Sequence, residues 1–247
     1  MYRGYLWVTG LCGLTGLLAT GCGGGGYGGE IRVPVEQRHA LTAGSQTPDQ
    51  IRLPGDRLFN IHLKNSNRDA GPQGTALGDS DATPDGQAFC AVSAGGEGVA
   101  NAEFTIGHRV DNESDRRLAA TIQVEFELQQ ELQAPGVPAA KTLATANLTL
   151  TILDGRKHTL ATVPVLAITS DQAVGSAQST CRHNLSALLE PQQSYSVILQ
   201  GNTHTETTAG QEASGRLQVR NLHMRLTFAP APPASGPAAG TSRPASR

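Results

Sequence analysis

Leu118-Ala119-Ala120-Thr121-Ile122-Gln123-Val124-Glu125-Phe126-Glu127-Leu128-Gln129-Gln130-Glu131-Leu132 decides the fold class. Ile122, Val124, Phe126 and Leu128 recur every second residue, and Gln123, Glu125, Glu127 and Gln129 fill the alternate places. A helix would scatter those apolar side chains around its axis. A strand puts them all on one face, so the stretch predicts a half-buried antiparallel strand with a polar outer face.

Working outward, the same alternation returns. Ala102 to Asp111 places Phe104, Ile106 and His108 in one phase. Thr145 to Leu153 turns Leu148, Leu150 and Ile152 inward. Asp154-Gly155 is a hairpin signal, because such turns favour residues that tolerate positive φ. Pro164 within the return segment marks an edge or a bulge. Tyr195, Val197 and Leu199 form the next strand, closed by Gly201-Asn202. In Arg216 to Phe228, Leu217 and Val219 share one phase while Leu222, Met224, Leu226 and Phe228 are shifted by one. A one-residue slip of this kind is the mark of a β-bulge.

Lys64 to Gly86 and Thr203 to Ser214 are polar and turn-rich, and their composition predicts loops. Asn184 to Glu190 fits one helical turn ending at Pro191, and Ile31 to Val35 an early edge strand. Eight to ten strands with little helix describe an all-β, antiparallel β-sandwich, jelly-roll or immunoglobulin-like. The Cys…Trp…Cys signature of immunoglobulin domains is missing, since the one tryptophan is Trp7.

Before the sandwich comes a different kind of sequence. Arg3 is followed by an apolar run from Leu6 to Leu18, then by Ala19-Thr20-Gly21-Cys22. The run is shorter than the roughly 20 residues of a bilayer span. A basic start, a short apolar run and small residues make a secretory signal. Leu18 to Cys22 resembles the lipobox of bacterial lipoproteins, with Ala19 where that family's pattern has Leu. The resemblance covers the first 22 residues. It implies cleavage after Gly21, diacylation of the Cys22 sulfur and acylation of the new amino group. Gly23 after the cysteine implies, by the same resemblance, the outer membrane. The alternative is an ordinary signal peptide that leaves Cys22 a thiol. Two or three acyl chains hold a protein to a membrane, where one does so only marginally.

The domain plan expected is therefore a signal peptide at 1–21, a Gly-rich tether at 22–30, the sandwich at 31–229 and a disordered Pro, Ala and Ser tail at 230–247. Net charge is −2 among 247 residues, so nothing in the composition points to nucleic acid or to an anionic surface. Of the 4 cysteines, Cys12 leaves with the signal and Cys22 is taken by lipid. Cys90 and Cys181 remain as an even pair in an oxidising compartment and are expected to form a disulfide. Closing a loop of about 90 residues would contribute about 4 to 5 kcal/mol. Two separate buried thiols are the alternative.

Candidate chemistry is sparse. Asp79, Asp81 and Asp85 lie close together before a strand, as calcium loops require. Their spacing departs from the EF-hand pattern, and a solvated polar loop is the competing reading. His108 shares the parity of Phe104 and Ile106 and is expected to face the core. Nucleophile elbows, zinc-protease motifs and phosphate-binding loops do not occur. The expectation is a non-enzyme without an obligatory cofactor: a lipid-anchored envelope protein with a structural or protein-binding role. The alternative is a calcium-assisted adhesion or glycan-binding module. The expected partners are the membrane, through the lipid, and an envelope protein.

Overall fold

The computed structural model describes residues 39–41, 49–134, 142–171, 174–208 and 210–231. Cys22, the signal, the tether and nearly all of the tail lie outside the described residues, as does Ile31 to Val35. Among the described residues there are twelve strands and no helix. The strands are β1 (His39–Leu41), β2 (Asp49–Leu53), β3 (Ile61–Ala70), β4 (Thr75–Ala82), β5 (Ala88–Gly95) and β6 (Gly98–Asn112). They continue with β7 (Leu118–Gln133), β8 (Leu143–Asp154), β9 (Thr159–Thr169), β10 (Gly175–Leu189), β11 (Gln193–Thr207) and β12 (Glu212–Pro230).

They form two six-stranded sheets. The first runs β1-β6-β11-β8-β9, with β3 also on β6; the second runs β10-β7-β12-β5-β4, with β2 also on β12. All pairings are antiparallel except β1 on β6. The inner faces meet in one main core, to which Phe104, Ile106, Phe126, Leu148, Leu199, Leu217 and Leu226 contribute. Chain alternation supplies this layer, because every second residue of each long strand is buried. His108 faces the core at 1% exposure, as its parity predicts.

The bulge sits where the phase slips. The β12–β7 register shifts between Arg220 and His223, and Asn221 takes a φ of 52°. Pro164 lies on the edge strand β9, beside a register shift against β8.

Several expectations need correction. Lys64 to Gly86 is not a loop. It forms β3 and β4, joined by the turn around Gly71-Pro72-Gln73-Gly74. Most of β3 is exposed on both faces, so it carries no alternation for a sequence reading to detect. The 184–189 stretch belongs to β10, not to a helix, and Glu190 follows it. Leu185 and Leu189 are buried, and a spacing of four fits both a strand and a helical turn. β11 runs through Gly201 to Thr207, so the expected loop is short. Phe104 lies against Gly201, where an added Cβ would collide with its ring. At the β8–β9 turn the positive φ falls on Lys157, at 66°, rather than on Gly155. Asp154 sets that turn by accepting from the backbone N–H groups of Arg156 (2.8 Å) and His158 (2.7 Å).

Cys90 and Cys181 are free thiols in the structure. They stand on β5 and β10, three strand intervals apart within one sheet, which is about 14 Å. Cys181 is level with Phe126, whereas Cys90 is level with Leu217 and hence with Gln130, four residues further along β7. A disulfide needs Cα atoms within about 7 Å, so this fold does not bridge them.

Candidate binding face on the second sheet

The three aspartates of the alternative calcium reading do not converge on one point. Asp79 and Asp81 point outward from β4, and Asp81 accepts from Lys64 Nζ at 3.0 Å. That bond holds the Asp81 carboxyl below its ordinary range. Asp85 sits in the next turn and accepts from Thr83 Oγ1. Among the described residues no three His, Cys, Asp or Glu side chains converge to hold a metal ion.

The outer face of the second sheet offers more. Registers align its outward side chains in rows across the strands. Arg52, Arg225, Gln123 and Asn184 form one row. His223, Glu125 and Arg182 form the next. Further along come Asp81, Phe89, Gln218, Gln129 and Gln178, then Asp79, Ala91, Arg216, Glu131 and Ser176. Amides, guanidinium groups and carboxylates dominate, with Phe89 and His223 the aromatic rings in these rows.

Some of these groups bond one another. Arg182 Nη2 donates to Glu125 Oε1 at 2.8 Å, Asn221 Nδ2 to Glu127 Oε1 at 3.0 Å and Arg220 Nη2 to Gln218 Oε1 at 3.1 Å. The Glu125 carboxylate raises the Arg182 pKa. Arg182 is 76% exposed, so the pair adds little stability and leaves the guanidinium open to a ligand.

Hollows form where the outward side chains are small or splayed. One of about 490 Å³ has Ala91, Ser93, Ser214 and Gly215 as its floor, with Glu131, Arg216, Leu77 and Asp79 around it. A second, of about 580 Å³, adjoins it at Ser93 and Ser214. A third, of about 560 Å³, opens near Pro54 and is lined by Arg52, Arg182, Arg225, His223, Gln123 and Glu125. A hollow on the outer face of the first sheet, beside Leu63, Leu153 and Ile198, measures about 170 Å³.

The sequence pattern reveals the polar parity of Gln123, Glu125, Glu127 and Gln129. It does not reveal Arg52, Arg182, Arg216 and Arg225 as their neighbours, because strand pairing alone brings them together.

No family model matches the chain, and no curated protein matches it in sequence. Solved structures give faint likenesses. A family 11 carbohydrate-binding module from Clostridium thermocellum, in complex with a β-1,3-1,4-mixed-linked tetrasaccharide, is 11% identical with a TM-score of 0.25. It covers 73% of this chain and 96% of its own. The xylan-binding domain from Paenibacillus barcinonensis is 14% identical with a TM-score of 0.19, covering 74% and 97%. The infectious bursal disease virus Gx strain structure is 11% identical with a TM-score of 0.25. It covers 74% of this chain, which spans 37% of that one. At these TM-scores neither a ligand nor an assembly carries over.

Proposed function

We propose that this protein is a lipid-anchored, non-catalytic β-sandwich of the bacterial cell envelope that holds a protein partner on the outer face of its second sheet. One observation carries the reading: the hydrogen-bonding rows of that face and the hollows of about 490, 580 and 560 Å³ that open along it. Rigid strands hold these groups in fixed register, which lowers the ordering cost of binding. Cys22, acylated as the lipobox resemblance implies, keeps the face at the membrane. The non-catalytic part rests on chemistry. His158 and Asp154 make a histidine–carboxylate contact of 3.0 Å, but Asp154 serves the β8–β9 turn and His158 is 71% exposed.

A glycan is the second reading. The hollow over Ala91 and Ser93 has a small-residue floor with Glu131, Arg216 and Asp79 at its rim. Carboxylate and guanidinium groups of this kind bond adjacent sugar hydroxyls. In-cell crosslinking and recovery from membranes, comparing the native chain with Cys22→Ser, separates the readings. A single envelope protein recovered only with the anchored chain is expected. Recovery of nothing specific, with Cys22→Ser still on the membrane, removes the anchor and the partner together.

A further inference from the structure

We infer that the hollow lined by Arg52, Arg225, Arg182 and His223 is an oxyanion site that takes a phosphate or sulfate group. The inference deepens the reading of the second sheet as the binding face and rests on it.

The charge is unusual for this chain. Three guanidinium groups meet one carboxylate, Glu125, around the hollow, in a protein whose net charge is −2. The placement is unusual for a sheet. Arg52 and Arg225 are direct Cα partners across β2 and β12, and both are exposed. Like charges directly opposite each other destabilise a sheet pair. Gln50 partly relieves this: with its amide oxygen turned towards the guanidinium it accepts from Arg225 Nη2 at 2.7 Å and from Arg225 Nε, which leaves Nη1 for an anion. An anion between the two arginines would relieve it fully and convert the repulsion into two charge-assisted hydrogen bonds.

The bulge in β12 makes the site. Arg216, Gln218 and Arg220 point outward before it, so without the extra residue Leu222 and Met224 would follow outward. Instead Leu222 and Met224 are buried, and His223 and Arg225 are exposed. Bulges re-aim side chains in this way beside functional sites. Arg52 meets Arg225 only because β2 pairs with the segment beyond the bulge. His223 stands one row further on, about 7 Å along β12, and Arg182 stands in that same row on β10, two strand intervals or about 10 Å to the side of β12. Donors from three strands, β2, β12 and β10, line the hollow. A tetrahedral oxyanion offers acceptors in every direction from its centre, whereas a carboxylate offers two oxygens on one side.

The test uses the full chain carrying Cys22→Ser, titrated with inorganic phosphate and with sulfate at constant ionic strength and followed by calorimetry. Saturable binding is expected. Arg52→Gln and Arg225→Gln should each weaken it about ten-fold or more, as expected for losing a charge-assisted hydrogen bond. Arg156→Gln, a charge-matched change in the β8–β9 turn, should leave it unchanged. Sedimentation with phosphatidylglycerol and phosphatidylcholine vesicles then finds the source. A preference for phosphatidylglycerol that Arg52→Gln abolishes places the group on a lipid; equal vesicle binding with saturable phosphate binding places it on a soluble ester. No saturation by either anion, or an equal loss in Arg156→Gln, overturns the site. Partner capture by a chain that fails to saturate would remove the oxyanion site and leave the binding face standing.

Discussion

Single residues close the ends of the sandwich, and Asn112 is the clearest case. It is 0% exposed at the end of β6. Its Nδ2 donates to the carbonyls of Arg116 (3.0 Å), Leu189 (3.2 Å) and Glu190 (3.0 Å), and its Oδ1 accepts from Ser114 Oγ at 2.6 Å. One amide thus ties three chain segments together. Asn112→Ala would orphan several buried groups and should cost about 3 kcal/mol or more, read by denaturant unfolding. Tyr195 works nearby, accepting from the Glu190 N–H at 2.5 Å while its ring is buried. Tyr195→Phe should cost about 1 to 2 kcal/mol by the same measurement.

Cys90 gives a pH prediction. Burial pushes its thiol from an ordinary 9.0 up to about 12. The folded state keeps the proton that the unfolded state releases above pH 9. Its stabilising contribution is therefore complete below pH 9 and is lost as pH rises from 9 towards 12. The loss amounts to about 1.4 kcal/mol per pH unit. Unfolding midpoints measured across that range should fall less steeply in Cys90→Ala. Equal slopes in both proteins would contradict the assignment.

At the scale of elements, the β12 bulge tests how local conformation sets a face. Asn221 holds a left-handed φ of 52° and bonds Glu127. Asn221→Gly keeps the conformation available and should stay within about 1 kcal/mol of the parent. Asn221→Val adds the β-branched penalty for that region, about 1 to 2 kcal/mol, and should also weaken phosphate binding, because His223 and Arg225 depend on the bulge. Thermal melts together with the phosphate titration check both. This bulge is legible in the amino-acid sequence, since Val219 and Leu222 break phase in an otherwise regular pattern. The long strands β7 and β8 are legible for the same reason. β3 and β4 are not: β3 is held by β6 rather than by a neighbour in the chain and most of it has no buried face to imprint a pattern, while β4 pairs with the adjacent β5 but turns only the small Ala76, Gly78, Ser80 and Ala82 inward. Cys90 and Cys181 show the matching limit for sites. Cysteine count and compartment suggest a bridge, but only strand order reveals three intervals between them. The arginine hollow is hidden likewise, its members coming from positions 52, 182 and 225.

The whole molecule is a sandwich with two unlike outer faces. Both faces carry bonded polar pairs, Asn202 Nδ2 to Asn101 Oδ1 at 2.7 Å on the first and Arg182 Nη2 to Glu125 Oε1 at 2.8 Å on the second. They differ in their hollows, which measure about 170 Å³ on the first and about 490, 580 and 560 Å³ on the second. The central claim is that the second face, held at the membrane through Cys22, is the one that engages a partner. Site-specific photo-crosslinking in cells tests it most directly, with the probe placed at Gln129 on the second sheet or at Gln200 on the first. A single crosslinked envelope protein from Gln129, absent from Gln200 and lost in Cys22→Ser, is the predicted result. Equal crosslinking from both positions, or crosslinking from Gln200 alone, would contradict the account.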